Sequence, residues 1–470
     1  MSDQHRALFR ICLVASVLTG MIGMKTAGWA DPPIEVRIAT FDIDVTPPIG
    51  SFLAYDPVIG QGELGLRARG VVLMGADKPI VLCALDWLGI GSGGYDAFRE
   101  ALAEAAGTDV NRVAVHTLHQ HDAPGCDFTA EQILKDQGIA PHRYEGTFQR
   151  EVIQRLSKAA HEALDHAQPV THLGLGSAPV KEVASNRRIV GPDGKVGKAR
   201  YTACKDPVLK AAPEGVIDPL VSLISFWNGE SPVAVLSYYA THPQSYYRTG
   251  IANPDFPGIA RFFRQLAVPD ALHIHFNGAG GNVGAGKYND GAHENRLVLA
   301  ERLADGMRRA WEATERFPLT TSDVHWSVLP VALPPGAHLN EEELIARMRA
   351  EKDMTIIEDC ARKVGWLRRC KAGIPINVSC LTLGRARILH LPGELFVEYQ
   401  LNAKAARPDL FIAMAAYGDY TPGYIGTTVA YEQGGYEASP RSSNVAPEVE
   451  GVLMDAIRKL LDVKEAVKKP

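Results

Sequence analysis

Two periodicities of apolar residues run through this chain. Short apolar runs of strand length occur at 70–74, 80–85, Val113–Thr117, 221–226, 233–239, 273–276, 380–383 and 386–391. Such runs, bounded by turn residues, predict strands. Between them the period lengthens to that of a helix. The clearest case is 294–315, where Leu297, Ala300, Leu303, Met307 and Trp311 share one face. A second helix is predicted to start at Asn340, with Glu343 three residues on, and a third to cover 447–464. Strands and helices mix without strict alternation, which predicts an α/β (mixed α+β) fold of layered mixed sheets flanked by helices. No linker long enough to separate domains follows residue 40, so residues 35–470 read as one large domain.

The first thirty residues have a different pattern. His5, Arg6 and Arg10 precede an apolar run, 11–24, that ends in small residues at Ala27, Gly28 and Ala30. This predicts a cleaved secretory signal over 1–30 and a secreted or periplasmic product with no transmembrane segment in the mature chain. The 470 residues are 46% hydrophobic and 22% charged, which fits a globular chain. The net charge of −5 comes without a basic block, so no nucleic-acid partner is expected. Once Cys12 leaves with the signal, six cysteines remain. Cys83 and Cys380 fall in apolar runs and read as buried thiols, whereas Cys360 and Cys370 flank a basic helical stretch and are better disulfide candidates.

Candidate chemistry concentrates in Val115–Gly125, which carries His116, His119 and His121. A His-x-His pair leaving a strand puts both imidazoles on one side, where their nitrogens suit a borderline metal such as zinc. His116 is out of step with that pair and reads as structural. Residues 281–287 look like a phosphate-binding loop, but Tyr288 stands where Ser or Thr must hold magnesium, so a glycine-rich turn beside a cleft is the better reading. Neither H-E-x-x-H nor G-x-S-x-G occurs, which disfavours zincin proteases and serine hydrolases.

An ordered set of segments then resembles the neutral/alkaline (non-lysosomal) ceramidase family, whose members are zinc amidases. The set runs from Ile38-Ala39-Thr40 and Asp44-Val45-Thr46-Pro47-Pro48 through Ala84-Leu85-Asp86 to Leu118-His119-Gln120-His121-Asp122-Ala123-Pro124-Gly125. It continues with Asn186-Arg187, Ala240-Thr241-His242-Pro243, Asp255-Phe256-Pro257-Gly258 and Asn277-Gly278-Ala279-Gly280-Gly281-Asn282. Pro392-Gly393-Glu394 and Gly418-Asp419-Tyr420 complete it.

The resemblance implies a Zn2+ held by His119, His242, Glu394 and Tyr420. It also implies His121 as the proton carrier and Arg187 as a substrate-holding group. A tyrosine among Tyr424, Tyr431 and Tyr436 would steady the oxyanion, with Tyr431 taken as the candidate. Asp86 is expected either behind a ligating histidine or as a turn cap. The implied activity is hydrolysis of a small-molecule or lipid N-acyl amide of the N-acylsphingosine type by a zinc-activated water.

Two departures from the family pattern stand out. Asp122 replaces the usual Ser, which points toward a cationic or polyhydroxylated substrate or a second metal. The C-terminal β-sandwich of full ceramidases is expected to be absent. The alternatives are the same scaffold acting on a soluble amide, ester or carbohydrate derivative, and a non-catalytic zinc-binding periplasmic protein.

Overall fold

Successive residues of the strand Asp77–Leu85 face two different cores. Ile80, Leu82 and Ala84 enter one apolar cluster, and Val81, Cys83 and Leu85 enter another. A strand buried on both faces shows no polar alternation, which is why its sequence is a continuous apolar run. The computed structural model describes residues 35–75 and 77–463. The expected signal at 1–30 and the last residue of the expected helix 447–464 lie outside them.

Three sheets organise the molecule. In the first, the order is Val113–Thr117, Asp77–Leu85, Arg67–Gly75, Arg37–Asp44 and the short Gln168–Pro169. In the second it is Leu272–Asn277, Ser231–Tyr239, Leu220–Asn228, His172–Pro179 and Glu315–Pro318. The third comprises Val324–Val331, Ile376–Leu383, Ala386–His390 and Phe411–Ala415.

Each sheet pairs antiparallel neighbours and then ends in one parallel pair. A parallel neighbour requires a crossover, and a helix supplies it each time: Ser92–Ala106, Asp255–Ala267 and Val397–Ala406.

One cluster draws on all three sheets, through residues such as Leu82, Phe226, Leu236, Phe276, Leu381 and Ile388. The outer faces are covered by helices. Ser92–Ala106 and Thr147–Ala163 pack on the first sheet, and Asp255–Ala267 and Asn295–Glu312 on the second. Val397–Ala406 and Val449–Leu460 cover the third. The result is a mixed α/β fold without a closed barrel, as the apolar pattern predicted.

Asn340 does cap its helix, Glu341–Ala350, accepting from the backbone N–H groups of Glu342 and Glu343. The disulfide expectation fails. Cys360 and Cys370 both lie in the helix Met354–Lys371, ten residues apart, so the rise alone separates them by about 15 Å. All six described cysteines are free, and Cys83 and Cys380 are buried as expected. No helix among the described residues is long and apolar enough to cross a membrane.

Candidate active site

Loops leaving the carboxyl ends of parallel strands collect most of the polar chemistry, the position where open α/β sheets place their ligands. His119 and His121 follow Val113–Thr117, His242 follows Ser231–Tyr239, Glu394 follows Ala386–His390, and Tyr420 follows Phe411–Ala415. Five side chains from three sheets therefore meet.

The His-x-His pair is not presented by strand alternation. The strand ends at Thr117, and His119 has a φ of 65°, a left-handed conformation that costs a non-glycine residue roughly 1 kcal/mol. Its N–H is fixed to the Trp87 carbonyl at 2.9 Å. The resulting bend, not the pleat, brings the two imidazole centroids to 4.8 Å. His116 stays in the strand and is structural as expected, with Nδ1 on the Ala416 carbonyl (2.7 Å) and Nε2 near His390 (3.1 Å).

Nε2 of His119 lies 3.2 Å from Oε2 of Glu394, and Nε2 of His242 lies 3.9 Å from the same oxygen. The Tyr420 hydroxyl donates to the other carboxylate oxygen at 3.0 Å. One ligand atom each from His119, His121 and His242 falls within a 4.8 Å sphere of mutual distances.

The outer nitrogen of His119 settles its tautomer. Nδ1 of His119 is 2.7 Å from the Leu88 carbonyl, which can only accept, so the proton sits on Nδ1 and the Nε2 lone pair faces inward. Nδ1 of His242 lies 3.4 Å from the Gly280 carbonyl, an acceptor, and 3.4 Å from Nη1 of Arg187, a donor, so its tautomer is not fixed by these contacts. Oε2 of Glu394 is buried without a hydrogen-bond partner. A lone pair and a bare carboxylate oxygen 3.2 Å apart require a proton or a cation between them.

Burial, helped by the neighbouring cationic and imidazole groups, holds His121 and His242 well below the ordinary imidazole range. Burial would raise Glu394, but His119, Tyr420 and Arg187 together hold it below the usual carboxylate value. The three imidazoles, with the unpartnered carboxylate oxygen beside them, are a donor set that could hold a borderline divalent cation. The site gives onto a cavity of about 680 Å³ that reaches Glu394, Tyr420 and Tyr424.

No family model and no curated protein matches the chain. Solved structures do, and two of them are ceramidases. One is a ceramidase complexed with C2, with a TM-score of 0.67 at 15% identity, covering 93% of this chain and 77% of that one. The other is neutral ceramidase from Pseudomonas aeruginosa, with a TM-score of 0.65 at 15% identity, covering 93% and 76%. The fold is that of a neutral ceramidase.

On this ceramidase-like fold the remaining candidates separate. Arg187 is at the site and buried. Its Nη1 donates to the Tyr424 hydroxyl at 3.2 Å and lies 3.4 Å from Nδ1 of His242. Glu437, fully buried, stands 3.3 Å from Arg187 and 3.3 Å from Arg188 and is shared between them. The sequence reading missed it, because nothing in Gly434-Gly435-Tyr436-Glu437 sets this acid apart from a surface one.

The structure does not bring Tyr431 to the cluster. Its hydroxyl bonds Ser443 at 2.9 Å and takes the Gly426 N–H at 3.4 Å. Tyr424 lies beside the cluster instead, its ring parallel to that of His242 with centroids 6.2 Å apart.

Asp86 does not support a histidine. It forms a two-point salt bridge with Arg261 (2.7 and 2.6 Å) and accepts from the Arg67 N–H. Asp122 also turns away from the cluster, accepting from the N–H groups of Arg248 and Thr249 and from the Thr249 hydroxyl.

Beside the cluster the glycine-rich loop is a packing element. A Cβ at Gly281 would stand 2.3 Å from the Glu394 carbonyl oxygen, and Lys287 donates to the carbonyls of Lys210 and Ala212.

Proposed function

We propose that the protein is an exported, zinc-dependent hydrolase of an N-acyl amide, with His119, His242, Glu394 and Tyr420 as the metal-holding set. One observation carries this reading. The inward lone pair of His119 faces the unpartnered Glu394 oxygen at 3.2 Å, an arrangement that a divalent cation satisfies. The ceramidase-like fold supports the reaction class, and the pattern of residues 1–30 supports export.

When bound, zinc supplies Lewis acidity and a water of lowered pKa. The chain's own groups do the rest. His121 lies 4.8 Å from His119, centroid to centroid, and its Nδ1 has no partner, so it is free to carry a proton to the departing amine. The Tyr424 hydroxyl accepts from Arg187 and keeps its own proton, because burial raises its pKa well above the ordinary phenol value. It therefore has an O–H to offer a carbonyl oxygen as charge develops there. Arg187, held by Glu437, keeps that hydroxyl in place.

The test is metal content and hydrolysis on the purified protein. About one zinc per chain and chelator-sensitive cleavage of N-acyl substrates are expected. Chelator-resistant hydrolysis, or a protein that retains no zinc, refutes the assignment.

A further inference from the structure

The cavity in front of Glu394 is charged in a way that an acyl chain does not need. Its wall carries six basic side chains, Arg143, Arg248, Arg347, Arg362, Lys363 and Arg441, against four acidic ones, Glu343, Asp353, Asp359 and Glu394. The chain as a whole is negative, at −5, so the excess is local. Its aromatic surface is entirely tyrosine, and its aliphatic surface is three leucines and one isoleucine.

Half of these cations are engaged by the protein itself. Arg362 and Lys363 each lie 2.6 Å from Asp359, and Arg143 lies 3.3 Å from Glu358. Arg347 follows Glu343 by one helical turn. Arg347, Arg248 and Arg441 are exposed, and among the described residues none of the three has a carboxylate within ion-pairing distance; Arg248 and Arg441 differ in that each is stacked over aromatic rings.

Each sits on aromatic rings that lead back to the cluster. The Arg248 guanidinium is 4.9 Å from the Tyr55 ring and 5.8 Å from Tyr247, and both rings pack on His121, at 6.1 and 5.7 Å. Arg441 lies 5.9 Å from the ring of Tyr436, which packs on Tyr424.

Asp122 explains how Arg248 is presented. Arg248 has a φ of 64°, and Asp122 holds its N–H at 2.9 Å together with two donors of Thr249. The acid that departs from the family pattern thus fixes the loop that points a guanidinium toward the cavity. Taken as a surface charge, it suggests a cationic substrate; its actual contacts argue the reverse.

We propose that the substrate is a soluble N-acyl amide bearing a carboxylate, which Arg248 and Arg441 hold while the amide lies at the histidine cluster. This rests on the hydrolase reading above. A guanidinium preordered on a ring matches a carboxylate in two-point geometry and loses little freedom in doing so. Asp122 is a positioning residue for Arg248.

The test uses the zinc-loaded full chain with N-acetyl-6-aminohexanoate, its neutral primary amide, and a short-chain N-acylsphingosine. The carboxylate should be favoured over its amide by about tenfold or more in kcat/KM, the worth of one charge-assisted hydrogen-bond pair. That preference should shrink as salt rises. Arg248→Gln should cut the discrimination to under about threefold, chiefly through KM, and Asp122→Ser should do so in part. Equal rates on acid and amide, or a preference for the sphingosine amide, overturn the proposal. If none of the three is cleaved, the hydrolase reading fails separately. Calorimetric titration then still decides: the acid must bind more tightly than the amide to the wild type, and no more tightly to Arg248→Gln.

Discussion

His119 and Glu394 face each other at 3.2 Å, although one follows a strand of the first sheet and the other follows a strand of the third. The contact is fixed from behind on both sides, by the Leu88 carbonyl on Nδ1 and by the Tyr420 hydroxyl on Oε1. Such backing orients donors before any ligand arrives.

His119→Ala, His242→Ala and Glu394→Gln should each lose bound zinc and activity while keeping the far-ultraviolet circular dichroism of the wild type. His121→Ala should keep the metal and lower kcat by about 10² to 10⁴. Metal analysis beside turnover separates the two groups, and zinc retained at full occupancy in both ligand-histidine variants excludes the assigned set.

Removing the Tyr424 hydroxyl with Tyr424→Phe should lower kcat by about 10² or more, the worth of an oxyanion donor. Tyr431→Phe should leave kcat within about threefold, since its hydroxyl is engaged with Ser443. Steady-state kinetics of the pair checks this, and the reverse ranking would restore Tyr431 to the site.

The Asp86–Arg261 bridge is buried on both sides. Arg261→Met strands a carboxylate in the core and should cost about 3–5 kcal/mol in denaturant unfolding, with little change in zinc affinity. A large loss of zinc affinity at unchanged stability would instead place Asp86 behind the metal site.

Asp127 caps the helix Phe128–Asp136 through one oxygen, and its other oxygen is buried without a partner. Burial, with Asp419 adding to it, pushes this carboxyl up to about 7, although the Ala130 N–H opposes the shift. The folded state therefore favours the protonated form. That contribution to stability is present below the ordinary carboxylate pKa near 4 and is lost as pH rises through about 7. Asp127→Asn keeps the cap and removes the titration. Relative to the variant, the wild type should lose on the order of 2–4 kcal/mol between pH 4 and 8, read from unfolding curves at each pH.

Much of the fold was legible because these sheets are buried on both faces. Strands such as Val113–Thr117 and Ser231–Tyr239 have no polar alternation to obscure their apolar runs. Strands with weaker patterns were not seen. His172–Pro179 carries two glycines and Val324–Val331 is half-exposed, so neither forms an apolar block. The helix Ser92–Ala106 opens on two glycines, which by propensity alone argue against it.

By itself the sequence determined which residue types would gather at the proposed site. His119, His242, Glu394 and Tyr420 sit in short motifs that end strands, and such motifs are local. Tertiary structure alone decided what depends on contacts between distant segments: that Tyr424 and not Tyr431 approaches His242, that Glu437 holds Arg187, and that Asp86 pairs with Arg261. The meaning of Asp122 was decided there as well. A carboxylate's role is set by the donors that reach it, and those of Asp122 come from Arg248 and Thr249, which only the folded chain brings near.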